Sequence, residues 1–180
     1  MHNALGKLIC VVSWPKSCLL RHISLRTAQR ICLGNGMTIK FVLTDNHQII
    51  RQGLALLLAG EPDMRVVGEA GDYSTTIKLI QEFSPQVVIM DISMPDLNGV
   101  EATRRILSQY SRIKVIALSM HSDSLFVLNM LNAGASGYLL KDCALEELAK
   151  AIRTVVNQKI YLSSNLSNLL VTDLANKILE

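Results

Sequence analysis

The feature that most constrains this chain is the run Val87-Val88-Ile89-Met90, unbroken and apolar, which leads straight into Asp91. A run of that length without alternation reads as a strand covered on both faces, as in a parallel sheet flanked by helices. The segment Ser93-Met94-Pro95-Asp96-Leu97-Asn98-Gly99 then has the composition of a turn, and a helical pattern begins at about Val100. Asp91 is thus expected at the carboxyl end of a buried strand, where ligands and chemistry collect in open α/β sheets. Taken alone, the same acid could simply cap the next helix.

The neighbouring segments repeat the alternation. Strands are expected over residues 39–43, 64–70, 87–91, 114–118 and 137–140. Helices are expected over 49–58, 72–83 (with Asp72 as its cap), 99–109, 122–132 and 143–157. Five strands alternating with five helices imply an α/β fold, a doubly wound five-stranded parallel sheet. Asp45, Asp91, Ser119 and Lys141 each follow a strand, so all of them are placed on one rim. Carboxylates there can hold a hard cation such as Mg²⁺, and one of them can accept a phosphoryl group. An ammonium and a hydroxyl can neutralise the incoming oxygens.

These motifs resemble the receiver domain of bacterial two-component response regulators, a flavodoxin-like fold. The resemblance is carried by Asp45 after the first strand, the Asp91-to-Gly99 turn, Ala117-Leu118-Ser119, and Gly134-Ala135-Ser136-Gly137-Tyr138-Leu139-Leu140-Lys141-Asp142. The segment Asp45-Asn46-His47-Gln48-Ile49-Ile50-Arg51-Gln52-Gly53-Leu54 and the later Tyr161-Leu162-Ser163 are similar to the NarL/LuxR-type, helix-turn-helix subfamily. The resemblance implies that Asp91 accepts a phosphoryl group from a sensor histidine kinase and that Lys141 and Ser119 assist. It implies switching through Ser119 and Tyr138, with Ser93 and His121 tuning loss of the phosphoryl group. Mg²⁺ would be held by Asp45, Asn46, Asp91 and the backbone carbonyl of Ser93. The family usually has a second acid where this chain has Asn46, which implies weaker metal binding. That departure keeps an alternative in view, a pseudo-receiver that engages partners without phosphorylation. His47 is expected to belong to the helix start and not to the metal site.

Composition bounds the remaining possibilities. A 49% hydrophobic and 18% charged chain suits a packed domain and excludes a disordered one. The overall +3 charge is uneven: residues 1–36 carry five bases and no acid, whereas the remainder carries thirteen bases and fifteen acids. The body is therefore mildly acidic and offers no nucleic-acid surface. Cys143 is the one cysteine of that body, which fits a reducing, cytoplasmic setting. No apolar run is long enough to span a membrane.

Residues 1–36 are expected to be a disordered basic extension, 37–157 the receiver, and 158–180 a linker with an amphipathic helix. Leu166, Leu169, Leu170, Leu174 and Ile178 form that helix's stripe, a candidate dimer surface. Relatives of this type carry a DNA-binding domain beyond such a linker, and the expectation is that DNA is reached only through a domain this chain lacks. A haloacid-dehalogenase-type phosphatase would want an acid at the position of Ser93, and a flavin module a phosphate loop in place of Thr44-Asp45-Asn46-His47.

Overall fold

The structure, a computed structural model, describes residues 38–167 apart from Pro95 and Cys143. The expected basic extension, the helix start at Cys143 and the apolar stripe beyond 167 lie outside the described residues.

The elements run β1 (Ile39–Thr44), α1 (Gln48–Leu58), β2 (Met64–Ala70), α2 (Tyr73–Phe83), β3 (Val87–Asp91) and α3 (Gly99–Gln109). They continue with β4 (Lys114–Ser119), α4 (Ser124–Asn132), β5 (Gly137–Leu140), α5 (Ala144–Val156) and β6 (Tyr161–Leu162). The sheet has six strands in the order β2-β1-β3-β4-β5-β6, with every pairing parallel. Five strands were expected, so β6 is a correction. It is only two residues long, too short to show any alternation. Backbone bonds define it, from Tyr161 N to Ser136 O (3.0 Å) and from Ser163 N to Tyr138 O (3.1 Å). Leu166 is buried too, in one apolar cluster with Tyr138 and Leu140, so the start of the expected linker packs on the domain.

The unbroken apolar run of β3 now has its reason, because its residues face opposite layers in turn. Val87 and Ile89 pack with Leu54 and Leu58 of α1 and with Leu148, Ile152 and Val155 of α5. Val88 and Met90 pack with Ile80 of α2 and with Ala102 and Ile106 of α3. Burying such side chains on both faces stabilises the sheet by about 1.5–3 kcal/mol each.

Local chemistry sets the element ends. Asp72 caps α2, its carboxylate accepting from Thr75 N at 2.7 Å. Asp123 caps α4 in the same way through Leu125 N at 2.7 Å, so this helix starts at Ser124 and not at 122. Gly134 leaves α4 at φ +97°, a conformation that glycine adopts without strain.

Gly99 governs the segment that follows Asp91. A Cβ there would stand 2.6 Å from Ile92 Cα and 2.9 Å from Asp91 O, both backbone atoms that cannot swing aside. Gly99→Ala is therefore expected to cost about 1–3 kcal/mol by overpacking. Urea unfolding would show this, and a loss below about 0.5 kcal/mol, the range of a neutral surface change, would mean that the loop yields freely.

Candidate functional site

β1 and β3 are neighbours, but the chain leaves β1 toward β2 on one side and builds β3 to β6 on the other. The crevice at such a reversal of strand order is the usual ligand site of an open α/β sheet. Asp45 follows β1 and Asp91 ends β3, so both carboxylates stand at that crevice, 2% and 0% exposed.

Lys141, just beyond β5, joins them. Its Nζ lies 2.7 Å from Asp45 Oδ2 and 2.9 Å from Asp91 Oδ2. The base of the side chain is fixed by Lys141 N donating to Ser119 O at 2.8 Å. Asp91 Oδ1 accepts from Ser93 N at 3.0 Å, which folds the following loop back on the carboxylate. Asp45 Oδ1 accepts from His47 N at 2.7 Å, and Arg51 donates to the Asp45 carbonyl from the first turn of α1.

Formally, two carboxylates meet one ammonium here. Asp45 Oδ2 and Asp91 Oδ2 are buried and accept no well-directed hydrogen bond, so the Lys141 ion pairs are what they have. A buried charge in excess of its partners is costly, and a cation would relieve it. Asp45, His47 and Asp91 each offer a ligand atom, all within 4.8 Å of one another.

Ser119 and Tyr138 form a second group on the same rim. Ser119, at the end of β4, accepts from His121 N at 2.9 Å. Tyr138 lies fully buried with its ring inward, and its hydroxyl donates to His121 O at 2.8 Å. Burial raises the pKa of that hydroxyl above the ordinary tyrosine value, against a smaller opposing hydrogen bond with Ser119. The His121 backbone thus ties serine and tyrosine together, while its exposed ring stacks on Phe126 with centroids 4.9 Å apart.

The structure therefore brings Asp45, Asp91 and Lys141 into direct contact, and places Ser119 one residue past the Asp91–Leu118 pairing on the adjacent strand. Asn46 lies exposed in the bend after Asp45. His47 caps α1, at the helix start as expected; its side chain makes no capping bond, and its Nδ1 stands 3.1 Å from Asp45 Oδ1. An imidazole two residues past an acid was the available signal for that contact.

Residues 41–153 match the family described as response regulator receiver domain, well over half of the chain. The chain belongs to the response regulator receiver family. This receiver is 37% identical over 139 residues to the transcriptional regulatory protein DegU of Brevibacillus brevis, covering 77% of this chain and 59% of that protein. It is 42% identical over 115 residues to the transcriptional regulatory protein LiaR of Bacillus subtilis, covering 64% and 54% respectively. A crystal structure of a LuxR-family two-component response regulator from Aurantimonas superposes with a TM-score of 0.73 at 32% identity. That alignment covers 77% of this chain and 99% of the other. The receiver thus spans less than two thirds of the length of those curated relatives. The subfamily is the NarL/LuxR type, and a receiver is a signalling domain and not an enzyme in the ordinary sense.

Proposed function

We propose that this receiver takes a phosphoryl group onto Asp91 from a phosphohistidine of a sensor histidine kinase, and that the modified state switches a transcriptional output. The observation that carries this reading is Lys141 bridging two buried carboxylates at the crevice where the strand order reverses. A carboxylate oxygen of Asp91 attacks phosphorus, the P–N bond of the donor breaks, and an acyl phosphate forms. The departing imidazole takes a proton from solvent. Lys141 moves from pairing with carboxylate to pairing with the phosphoryl oxygens. Ser119, released from His121 N, supplies a hydroxyl to another of those oxygens, and Tyr138 holds the His121 segment while it shifts.

The donor set suits Mg²⁺, which prefers oxygen ligands and keeps several waters. Asp45, Asp91, Asn46 and the Ser93 carbonyl would hold it, and when bound it neutralises charge on the transferring group. Asn46 contributes an oxygen but no charge. Asn46→Asp is accordingly expected to tighten Mg²⁺ binding roughly tenfold or more, read by calorimetric titration. Equal affinities in the two proteins would remove Asn46 from the ligand set.

Exposed Ile49 at the start of α1 and Met120 and Leu125 after β4 flank the same rim and suit a kinase-borne contact. DNA binding through a C-terminal domain, and homodimerisation, are proposed for this protein on its likeness to transcriptional regulatory proteins of this family. A cytoplasmic setting is proposed likewise. Among the described residues no helix is long and apolar enough to cross a membrane.

The reading is tested by incubating the full chain with Mg²⁺ and a small phosphodonor. Chelator-sensitive phosphoryl uptake is expected. Its absence would favour the second reading, a pseudo-receiver working through contacts alone, for which Asn46 is the specific argument.

A further inference from the structure

The loop between β3 and α3 carries Ser93, whose backbone N donates to Asp91 Oδ1 at 3.0 Å. Where this loop sits therefore decides how the acceptor carboxylate is held. Gly99 N donates to Ile92 O at 3.1 Å and draws the two ends of the loop together. Met94 is buried in the apolar cluster that contains Ile80 of α2, and half-buried Leu97 packs against it. A further contact is polar and reaches another element. Asp96 Oδ2 accepts from the N of Tyr73, the first residue of α2, at 2.8 Å.

The helix does not need this bond. Asp72 already caps α2, with Oδ1 accepting from Thr75 N and from the Ser74 hydroxyl at 2.7 Å each, and Oδ2 from the Thr75 hydroxyl at 2.9 Å. A second carboxylate beside the first adds like-charge repulsion. Asp96 is exposed, so water is open to its carboxylate as well. What gains from the bond is the loop, because the first turn of α2 is a firm anchor. The Thr76 hydroxyl, 0% exposed, donates to Asp72 O at 2.8 Å and accepts from the Thr44 hydroxyl at 2.9 Å. Thr44 is the last residue of β1 and leads into Asp45, whose N donates to Ala70 O at 3.1 Å. One helical turn is thus bonded on one side to the strand end that presents Asp45, and on the other, through Asp96, to the loop that braces Asp91.

We propose that Asp96 is a positioning residue for phosphoryl transfer: it ties the β3–α3 loop to α2 and so keeps the Ser93 amide on the Asp91 carboxylate. This rests on the reading of Asp91 as the acceptor. Asp96 acts through Ser93 and not on phosphorus, so it governs how fast the group is taken up and not which residue takes it.

The test compares the full chain as wild type, Asp96→Ala and Asp96→Asn, with Mg²⁺ and a small phosphodonor, so that no kinase contact enters. Intact mass gives the rate of uptake over a range of donor concentrations. Alanine removes the acceptor of the Tyr73 N–H, whereas asparagine keeps an oxygen there. At saturating donor, Asp96→Ala is expected to be about tenfold slower, inside the roughly 10²-fold that a misplacement of about 1 Å can cost. The half-saturating donor concentration should stay within about twofold, as for a group that does not bind the donor. Asp96→Asn should stay within about threefold of wild type, because its amide oxygen still accepts. Exchange of the Ser93 amide, followed by NMR, should quicken in the alanine variant while the β3 amides keep their protection.

Uptake by Asp96→Ala at the wild-type rate would overturn the proposal. Equal slowing by alanine and asparagine would overturn it too, by making charge and not the tie the cause. Slowing that comes with loss of protection throughout β3 would reduce Asp96 to a stabilising residue. In all three cases uptake by wild type leaves Asp91 standing as acceptor. No uptake by folded wild type would overturn both the proposal and that reading.

Discussion

Lys141→Met is expected to lower stability by about 3–5 kcal/mol, the usual cost of removing one partner from a buried ion pair. Methionine keeps most of the unbranched stem, which lines an apolar cleft with Ile50, Leu54 and Leu118. What disappears is the ammonium 2.7 and 2.9 Å from two carboxylates, leaving like charges together in a place that water hardly reaches. The loss is therefore electrostatic, and two consequences separate it from a packing defect. Adding Asp45→Asn to Lys141→Met should recover much of the stability, because it removes one of the two uncompensated charges. Millimolar divalent cation should stabilise the single variant more than wild type, because the cation then replaces the missing ammonium and binds only the folded form. Urea unfolding with and without cation measures both. A cost below about 1 kcal/mol, the value of a surface ion pair, would mean that the Lys141 contacts are not those of a buried network.

Asp91→Asn should reduce phosphoryl uptake to background, since a neutral amide does not attack phosphorus as a carboxylate does. The same change should leave the protein folded. It turns a lysine shared between two acids into a one-to-one pair with Asp45, so the pocket loses its excess negative charge. Ser93 N, which donates to Asp91 Oδ1, can still donate to an amide oxygen. Intact-mass measurement after exposure to phosphodonor, with a thermal melt of the same sample, reads both halves. Undiminished uptake in the variant would move the acceptor to another residue. Loss of folding would give Asp91 a structural role that its position does not suggest.

Much of this architecture was legible because one physical pattern dominates it. A strand buried on both faces must be apolar throughout, so Val87-Val88-Ile89-Met90 announced the parallel sheet, and its first polar residue marked the rim. Asp72 announced a helix start because its short acceptor satisfies a backbone N–H that helices leave open. The meeting of Asp45, Asp91 and Lys141 followed from the same logic, as strand ends in a parallel sheet share an edge. Three features were not legible, each for its own reason. β6 is two residues of backbone pairing and carries no side-chain period. The reach of Arg51 to the Asp45 carbonyl depends on the rotation of α1 about its axis, which apolar spacing fixes only coarsely. The orientation of the His47 ring is a rotamer choice made by the acid beside it, and residue type alone assigned it to the helix end.

The order in the rim also shows how the site and the chain's later segment share one framework. Tyr138 donates its hydroxyl to His121 O while its backbone carbonyl accepts from Ser163 N, so the same residue belongs to the crevice and to the strand pairing that holds β6. Leu162 and Leu166 pack in the apolar cluster that contains the Tyr138 ring. A change in the tyrosine's position would be felt on both sides of the sheet edge.

The central claim is that Asp91 is the phosphoryl acceptor of a pocket completed by Asp45 and Lys141. The most direct measurement is peptide mass spectrometry of the full chain after incubation with Mg²⁺ and a small phosphodonor. One phosphoryl group on the peptide bearing Asp91, absent when the cation is chelated, is expected. A phosphoryl group on another residue, or none on a folded, cation-loaded chain, would contradict it.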